Sequence, residues 1–148
     1  MNRLALVVLV AVADCLFAIH WCIAEAETDD QVAAHSDVID FAGAFQNDGF
    51  KIRDGTYFGK ISKDHSAVVA VNLYNGNAYW FTASTAEKAE KLKVSVFDEA
   101  GMPVSYEPFQ SGTRAAAGFS PEASGLYYVK VALEDGPPAT FCLIYSYK

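Results

Sequence analysis

The feature that most constrains the fold of this chain is a period of two in its apolar residues, which begins near Gly55 and continues along the rest of the sequence. In the segment "GLYYVKVALE", at 125–134, every second residue from the third onward is apolar: Tyr127, Val129, Val131 and Leu133. Apolar residues at alternate positions place one side of a β-strand in a core and the other side toward water. The pattern therefore predicts a fold built mainly from half-buried strands.

Eight segments carry this pattern, and residues typical of turns separate them. They are 56–62, 66–74, 77–84, 91–98, 102–107, 113–119, 125–134 and 139–147. The sequence Asn75-Gly76-Asn77 is typical of a tight hairpin, because Asn and Gly adopt positive φ at low cost. Many short strands with no helix between them predict an antiparallel β-sandwich or barrel.

The alternation also predicts which side chains form the core. The inward sets are Val69, Val71 and Leu73; Tyr79 and Phe81; Leu92, Val94 and Val96; Tyr127, Val129, Val131 and Leu133; and Phe141, Leu143 and Tyr145. Each fully buried aliphatic side chain contributes about 1.5–3 kcal/mol of transfer free energy. A core of this size suits one ordinary domain that folds without a disulfide.

Residues 27–49, ahead of the strands, have the pattern of an α-helix. Thr28 and Gln31 have the spacing of a capping box, with acidic residues between them in the first turn. An apolar stripe follows at helical spacing, made of Val38, Phe41, Ala42 and Phe45. Gly49 is suited to a left-handed cap that ends the helix. We expect the stripe to pack on the rim or face of a sheet.

The first residues predict export. A short basic start at Met1–Arg3 precedes an apolar run, and Ala24-Glu25-Ala26 is a small-x-small cleavage site. We expect a signal peptide at 1–26, an N-terminal helical segment at 27–54 and a β-sandwich domain at 55–148. Asp14 interrupts the apolar run and disfavours a membrane anchor. We therefore expect that the cleaved chain does not span a membrane.

The predicted cleavage leaves one cysteine in the mature chain. Cys15 and Cys22 leave with the signal peptide, so Cys142 has no partner for an intramolecular disulfide. We predict that Cys142 is a small buried apolar side chain, with an intermolecular bridge or a reactive thiol as the alternative.

Three stretches in order resemble the bacterial pre-peptidase C-terminal domain: "GNAYWFTA" at 76–83, "LKVSVFDEAG" at 92–101 and "FSPEASGLYYVKV" at 119–131. The resemblance covers roughly 66–147. It implies a jelly-roll-like β-sandwich of about eight antiparallel strands in a periplasmic or secreted bacterial protein. It also implies an accessory module of exported enzymes, some relatives of which bind calcium or collagen-like and carbohydrate ligands. The added N-terminal α-helix departs from the family pattern.

The sequence lacks the combinations that catalysis and metal binding require. The predicted mature chain keeps His35 and His65, which have no nucleophile or ligand cluster beside them. Asp98, Glu99 and Asn75 are candidate calcium ligands by type, but no calcium-loop motif contains them. We predict no catalytic residue, no metal and no cofactor. The formal net charge of −7 and the absence of a basic cluster argue against nucleic acid as a partner.

Aromatic residues are the remaining candidates for ligand binding. Trp80, Tyr128 and Phe97 fall opposite the inward positions of their strands. Such residues on a sheet form a flat surface that stacks with sugars or docks a protein. The alternative is that the N-terminal helix covers this side of the sheet.

These observations favour an exported, non-catalytic β-sandwich module that binds a protein or a glycan at the cell envelope. One alternative is a small carboxylate-dependent hydrolase, because paired acids leave no recognisable spacing. Another is an eight-stranded outer-membrane barrel.

Overall fold

Nine strands and one helix make up the part of the chain that the computed structural model describes, residues 26–86 and 91–148. The predicted signal peptide as far as Glu25 lies outside the described residues. Helix α1 spans Asp29–Gln46. The strands are β1 (Lys51–Ile52), β2 (Tyr57–Ile61), β3 (Ala67–Leu73), β4 (Tyr79–Thr85), β5 (Lys91–Phe97), β6 (Glu107–Ser111), β7 (Arg114–Phe119), β8 (Gly125–Asp135) and β9 (Ala139–Tyr147).

The strands form two antiparallel sheets. Sheet A has the order β1-β9-β4-β7-β6, and β2 also pairs with β9. Sheet B has the order β3-β8-β5. The inward side chains of both sheets belong to one apolar cluster, so the sheets pack face to face. The predicted antiparallel β-sandwich is confirmed.

Most of the core consists of side chains that the alternation predicts to point inward, and it also contains Ile61, Ala83, Ala115 and Ala117. Phe81, Leu143 and Val129 are at most 1 % exposed, and the two sheets contribute about equally to the cluster. Val69 departs from the prediction, since it is only half-buried at the edge of sheet B. The alternation thus identifies the inner face of each sheet correctly.

Helix α1 packs on the outer face of sheet A. Its N-terminus has the predicted capping box, in which the Gln31 N–H donates to Thr28 Oγ1 (3.3 Å) and the Thr28 N–H donates to Gln31 Oε1 (2.8 Å). Val38 is fully buried against Cys142 and Ile144 of β9. The predicted apolar stripe therefore does pack on a sheet.

The helix explains why two strands lack clear alternation. Strand β9, "ATFCLIYSY", is buried at every position but the last, because the core covers one face and α1 covers the other. The outward residues of β4 are likewise buried, as for Thr82 and Ser84. The Ser84 hydroxyl donates to the Ala34 carbonyl oxygen at 2.8 Å, which satisfies a polar group beneath the helix.

Two strand predictions differ from the structure. The strand predicted at 102–107 is wrong, because β6 begins only at Glu107. The preceding residues instead bridge the end of β5 at Pro103, a residue that has no N–H to continue a ladder. The sequence pattern also missed strand β1, Lys51–Ile52, whose two residues pair with the end of β9.

Within the described ranges, no helix has both the length and the apolar character that crossing a membrane requires.

Candidate functional site

Strand register brings distant residues into one row across the outer face of sheet A. Glu107 of β6 lies opposite Gly118 of β7. Gly118 lies opposite Trp80 of β4, and Trp80 lies opposite Ser146 of β9. Tyr79 and Phe81 point into the core, so Trp80 points outward on the side that α1 covers. The row therefore starts at the exposed Glu107 and runs beneath the helix.

The indole of Trp80 is held between the sheet and the helix. A Cβ added at Gly118 would lie 2.9 Å from two atoms of the six-membered indole ring and 3.1 Å from a third, so the ring lies flat across this glycine. On the helix side, Phe45 stacks on the indole with a centroid distance of 4.5 Å and an interplanar angle of 16°. Trp80 thus presents an edge to solvent rather than an open face.

This close approach predicts the effect of a methyl group at Gly118. We expect Gly118→Ala to lower the free energy of unfolding by about 1–3 kcal/mol, because Trp80 or α1 must move to admit the new Cβ. Gly125→Ala is the matched control, since nothing lies within 4 Å of a Cβ at that position. We expect the control to change stability by about 0.5 kcal/mol or less. Equal stabilities in urea denaturation would contradict the packing described for Trp80.

Further contacts fix the helix over this row. The Phe41 ring lies 5.2 Å from the Phe109 ring of β6 and 5.7 Å from the Arg114 guanidinium. Arg114 also donates two hydrogen bonds to the Asp37 carboxylate. These hydrogen bonds lower the pKa of Asp37 and raise the pKa of Arg114. Together these contacts attach α1 to β6 and β7.

An open groove of about 520 Å³ lies where this row meets the end of α1. Its lining includes the apolar side chain of Trp80, the buried Phe50 and Gly118. Two carboxylates, Asp48 and Glu107, also line it. The remaining lining residues are Ala78, Tyr79, Phe119, Ser120 and Lys148. The groove therefore combines apolar surface with exposed polar groups.

Lys148 is held in place at this groove. Its backbone exchanges two hydrogen bonds with Ala78, of 2.9 and 3.0 Å. Its ammonium group lies 4.4 Å from the centroid of the Phe50 ring and donates to the Asp48 carbonyl oxygen at 3.2 Å. A cation over an aromatic ring is attracted by the negative face of that ring. The groove thus has one positioned positive charge near two carboxylates.

Tyr128 and Phe97 lie on the other side of the molecule. They are directly opposite each other on β8 and β5, and Ala70 of β3 is the next residue across the sheet. Their strand neighbours Val129 and Val96 point into the core, so both rings lie on the outer face of sheet B. Both are half-buried. The helix therefore covers Trp80 on sheet A, as the alternative prediction stated, but it does not cover Tyr128 and Phe97 on sheet B.

The structure therefore does not bring the three predicted ligand-binding residues together. Trp80 is on sheet A, whereas Tyr128 and Phe97 form a pair on sheet B. Sequence reasoning also missed Glu107, Asp48 and Lys148 as neighbours of Trp80. A glycine inside a predicted strand, as in "AAAGF" at 115–119, is a signal for close approach of another group.

Two of the three candidate calcium ligands, Asp98 and Asn75, make hydrogen bonds within the protein. The Asp98 carboxylate accepts the Met102 N–H at 2.8 Å in the predicted turn. The Asn75 N–H donates to the Ser124 hydroxyl at 2.9 Å. Asp98 also lines a second hollow of about 430 Å³, beside Glu122 and Tyr127 at one end of the sandwich. Asp98 and Asn75 thus hold turns together.

Cys142 and the two histidines do not join the groove. Cys142 is fully buried, as predicted, and burial raises the pKa of its thiol to about 12. The half-buried His35 ring packs edge-on against Phe58 at 5.8 Å, and His65 is exposed. A thiol with so high a pKa stays protonated at neutral pH and is a poor nucleophile.

Comparison with protein-family models gives no match, and comparison with curated protein sequences gives none either. Among the solved structures that are similar to the chain are the following two. One is the pre-peptidase C-terminal domain of a collagenase from Bacillus anthracis, with 22% identity, a TM-score of 0.48, and coverage of 62% of this chain and 87% of that one. The other is described as CBM4, with 17% identity, a TM-score of 0.43, and coverage of 72% and 83%. The strand motifs of the sequence resemble the domain in the first of these two structures, and the strand pairing of the chain itself forms a β-sandwich.

Proposed function

We propose that this chain is an exported, non-catalytic β-sandwich module that binds a glycan at the cell envelope through the groove beside Trp80. The observation that carries the proposal is the composition of that groove. Apolar surface from Trp80 and Phe50 lies next to the carboxylates of Asp48 and Glu107 and the ammonium group of Lys148. Binding sites for small molecules commonly combine an apolar wall with a few polar groups in this way.

Sugars present chemistry that suits such a groove. Their hydroxyl groups donate to carboxylates or accept from an ammonium group, and their C–H groups can contact an apolar edge such as that of Trp80. Hydrogen bonds to charged groups are stronger than those between neutral groups. Glu107 is exposed at the groove, Lys148 is exposed but positioned over the Phe50 ring, and Trp80 is held by packing against Phe45. The groove therefore supplies polar contacts on a rigid apolar support.

The proposal is tested with the purified protein and soluble oligosaccharides released from envelope polysaccharides, by isothermal titration calorimetry. We expect Glu107→Gln to weaken binding about tenfold or more, because a charge-assisted hydrogen bond to a sugar hydroxyl is lost. Glu99→Gln is the matched control, since Glu99 is exposed in a turn outside the groove. We expect the control to bind as the unmodified protein does.

The affinities of these variants, together with an assay for reducing ends on the same oligosaccharides, distinguish this proposal from a hydrolase. Equal affinity of the Glu107 and Glu99 variants would overturn the assignment to this groove. Release of new reducing ends from the oligosaccharides would overturn a non-catalytic role and favour the carboxylate-dependent hydrolase, for which Asp48 and Glu107 are the nearest acids to the groove wall.

A protein ligand is the second candidate, and it rests on the outer face of sheet B. Tyr128, Phe97 and the exposed Val68 give this face apolar surface that α1 does not cover. Flat apolar surface with aromatic residues is typical of protein interfaces. Loss of envelope-protein capture by Tyr128→Ala, with no effect of Glu107→Gln, would favour this candidate over the groove.

A further inference from the structure

Strand β3 has one edge without a backbone partner among the described residues. It pairs with β8 through seven consecutive residue pairs, from Ala67↔Val131 to Leu73↔Gly125, and with no other strand. The second edge of β3 therefore presents N–H and C=O groups that are free to pair with another strand. Edge strands of this kind are templates for strand addition.

The other edges of the two sheets are shorter, covered or interrupted. Residues next to Pro103 cover β5, where the Val104 N–H donates to the Val96 carbonyl oxygen at 3.1 Å. Strand β6 contains Glu107 and Pro108, β2 contains Gly59 and Lys60, and β1 has two residues. Charged residues, proline and short length are the usual means by which proteins block an edge. These edges are therefore protected.

Strand β3 has none of these protections. Its sequence, "AVVAVNL", contains no charged residue, proline or glycine, and its register with β8 has no bulge. The whole stretch 66–86 contains no charged residue, although the chain has a formal net charge of −7. Val68 is 58% exposed on the outer face, and Ala70 and Asn72 are also exposed. This edge is thus regular, uncharged and accessible.

We propose that β3 is a self-association edge, at which a second copy of this chain pairs through its own β3 in antiparallel register. Full overlap of two seven-residue strands places Ala70 opposite Ala70 of the partner subunit, and Val68 opposite Asn72 of the partner subunit. This register places inward residues opposite inward residues, whereas a shift by one residue would pair inward with outward residues and put the two cores on opposite sides of the joined sheet. The pairing is self-complementary, as two-fold symmetry requires.

The absence of charge at this edge supports a second copy as the occupant, because two acidic chains can meet there without like charges in contact. Two acidic chains repel each other overall, but the strands that meet in this register are neutral, so no like charges face one another within the ladder. The pairing joins the two copies of sheet B into one sheet of six strands. A single strand pair is a small interface, which corresponds to a weak dimer. We expect a dissociation constant on the order of 10–100 µM.

The test is sedimentation equilibrium of the purified protein over a concentration range that spans this value. We expect the weight-average mass to rise toward twice the monomer mass. In Ala70→Lys, two ammonium groups would lie directly opposite each other, so we expect at least a tenfold weaker association. Val68→Lys is a second variant on the same edge. Val32→Lys on α1 is the matched control, because Val32 is 52% exposed and the charge change is the same.

Each outcome decides the proposal. Loss of the dimer in both edge variants, with the control unchanged and thermal unfolding intact, supports pairing through β3. A monomer at all concentrations overturns it. A dimer that survives Ala70→Lys and Val68→Lys also overturns it, because the interface then lies elsewhere. Binding of an extended peptide by a strictly monomeric protein would replace the second copy with a different occupant.

Discussion

Phe81→Ala is expected to lower the free energy of unfolding by about 3–5 kcal/mol, the largest loss among the single truncations considered for this chain. Phe81 is fully buried in the centre of β4, with the Tyr145 ring 5.5 Å away and Ala117 opposite it on β7. Tyr145 and Ala117 are held in the ladders of β9 and β7, so they fill the vacated space only in part. The variant therefore loses the transfer free energy of the ring and also keeps a cavity.

Phe109→Ala is the matched control for this prediction. Phe109 lies on the edge strand β6 and is 43% exposed, so its removal costs about 1 kcal/mol and leaves no closed cavity. Both variants are compared by urea denaturation monitored by tryptophan fluorescence, with Trp80 as the reporter. Similar losses for the two phenylalanines would contradict a core between the sheets that is centred on Phe81.

Val38→Asp is expected to lower the free energy of unfolding by about 3 kcal/mol or more, because it places a carboxylate beneath α1 without a partner. Val38 is fully buried with Cys142 and Ile144, which offer no charge to pair with it. Burial raises the pKa of such a carboxyl group above its unfolded value. The destabilisation is therefore largest above the folded pKa and decreases as the pH falls below it, where the buried group is neutral.

Ile39→Asp is the control for the helix. Ile39 is the next residue of α1 and is 38% exposed, so the same new charge remains hydrated. We expect a loss of about 1 kcal/mol or less, with little dependence on pH. Thermal unfolding at pH 5 and pH 8 measures both effects. If Val38→Asp and Ile39→Asp were equally stable at both pH values, α1 would not be packed on sheet A as described.

The predictions from sequence were accurate for strands that have one face in the core and the other face toward solvent. Strand β8 alternates because one of its faces meets the core and the other meets solvent. The alternation fails for β9 and β4, since α1 buries their outer faces as well. It also fails near Pro103, where the chain bridges β5 before it joins sheet A as β6. In each case a contact from a distant part of the chain changes the local pattern.

For the candidate site, the sequence likewise predicted local features but not the contacts between distant parts of the chain. The sequence correctly predicts that Trp80, Tyr128 and Phe97 point away from the core, because their neighbours along each strand point into it. The position of a residue within its strand does not reveal the sheet to which that strand belongs. Trp80 therefore could not be separated from the other two residues, and Glu107 and Lys148 could not be recognised as its neighbours.

By itself, the sequence determined the helix, most of the strands and the inner face of each of those strands. The capping box of Thr28 and Gln31 depends on residues three positions apart, and the inward set of each strand depends on a period of two. Only the tertiary structure decided that Glu107, Gly118 and Trp80 form one row, and that Tyr128 and Phe97 lie on the opposite face. The reason is that strand order results from pairing between residues far apart in the chain, which is decided by the packing of both layers together and leaves no local pattern.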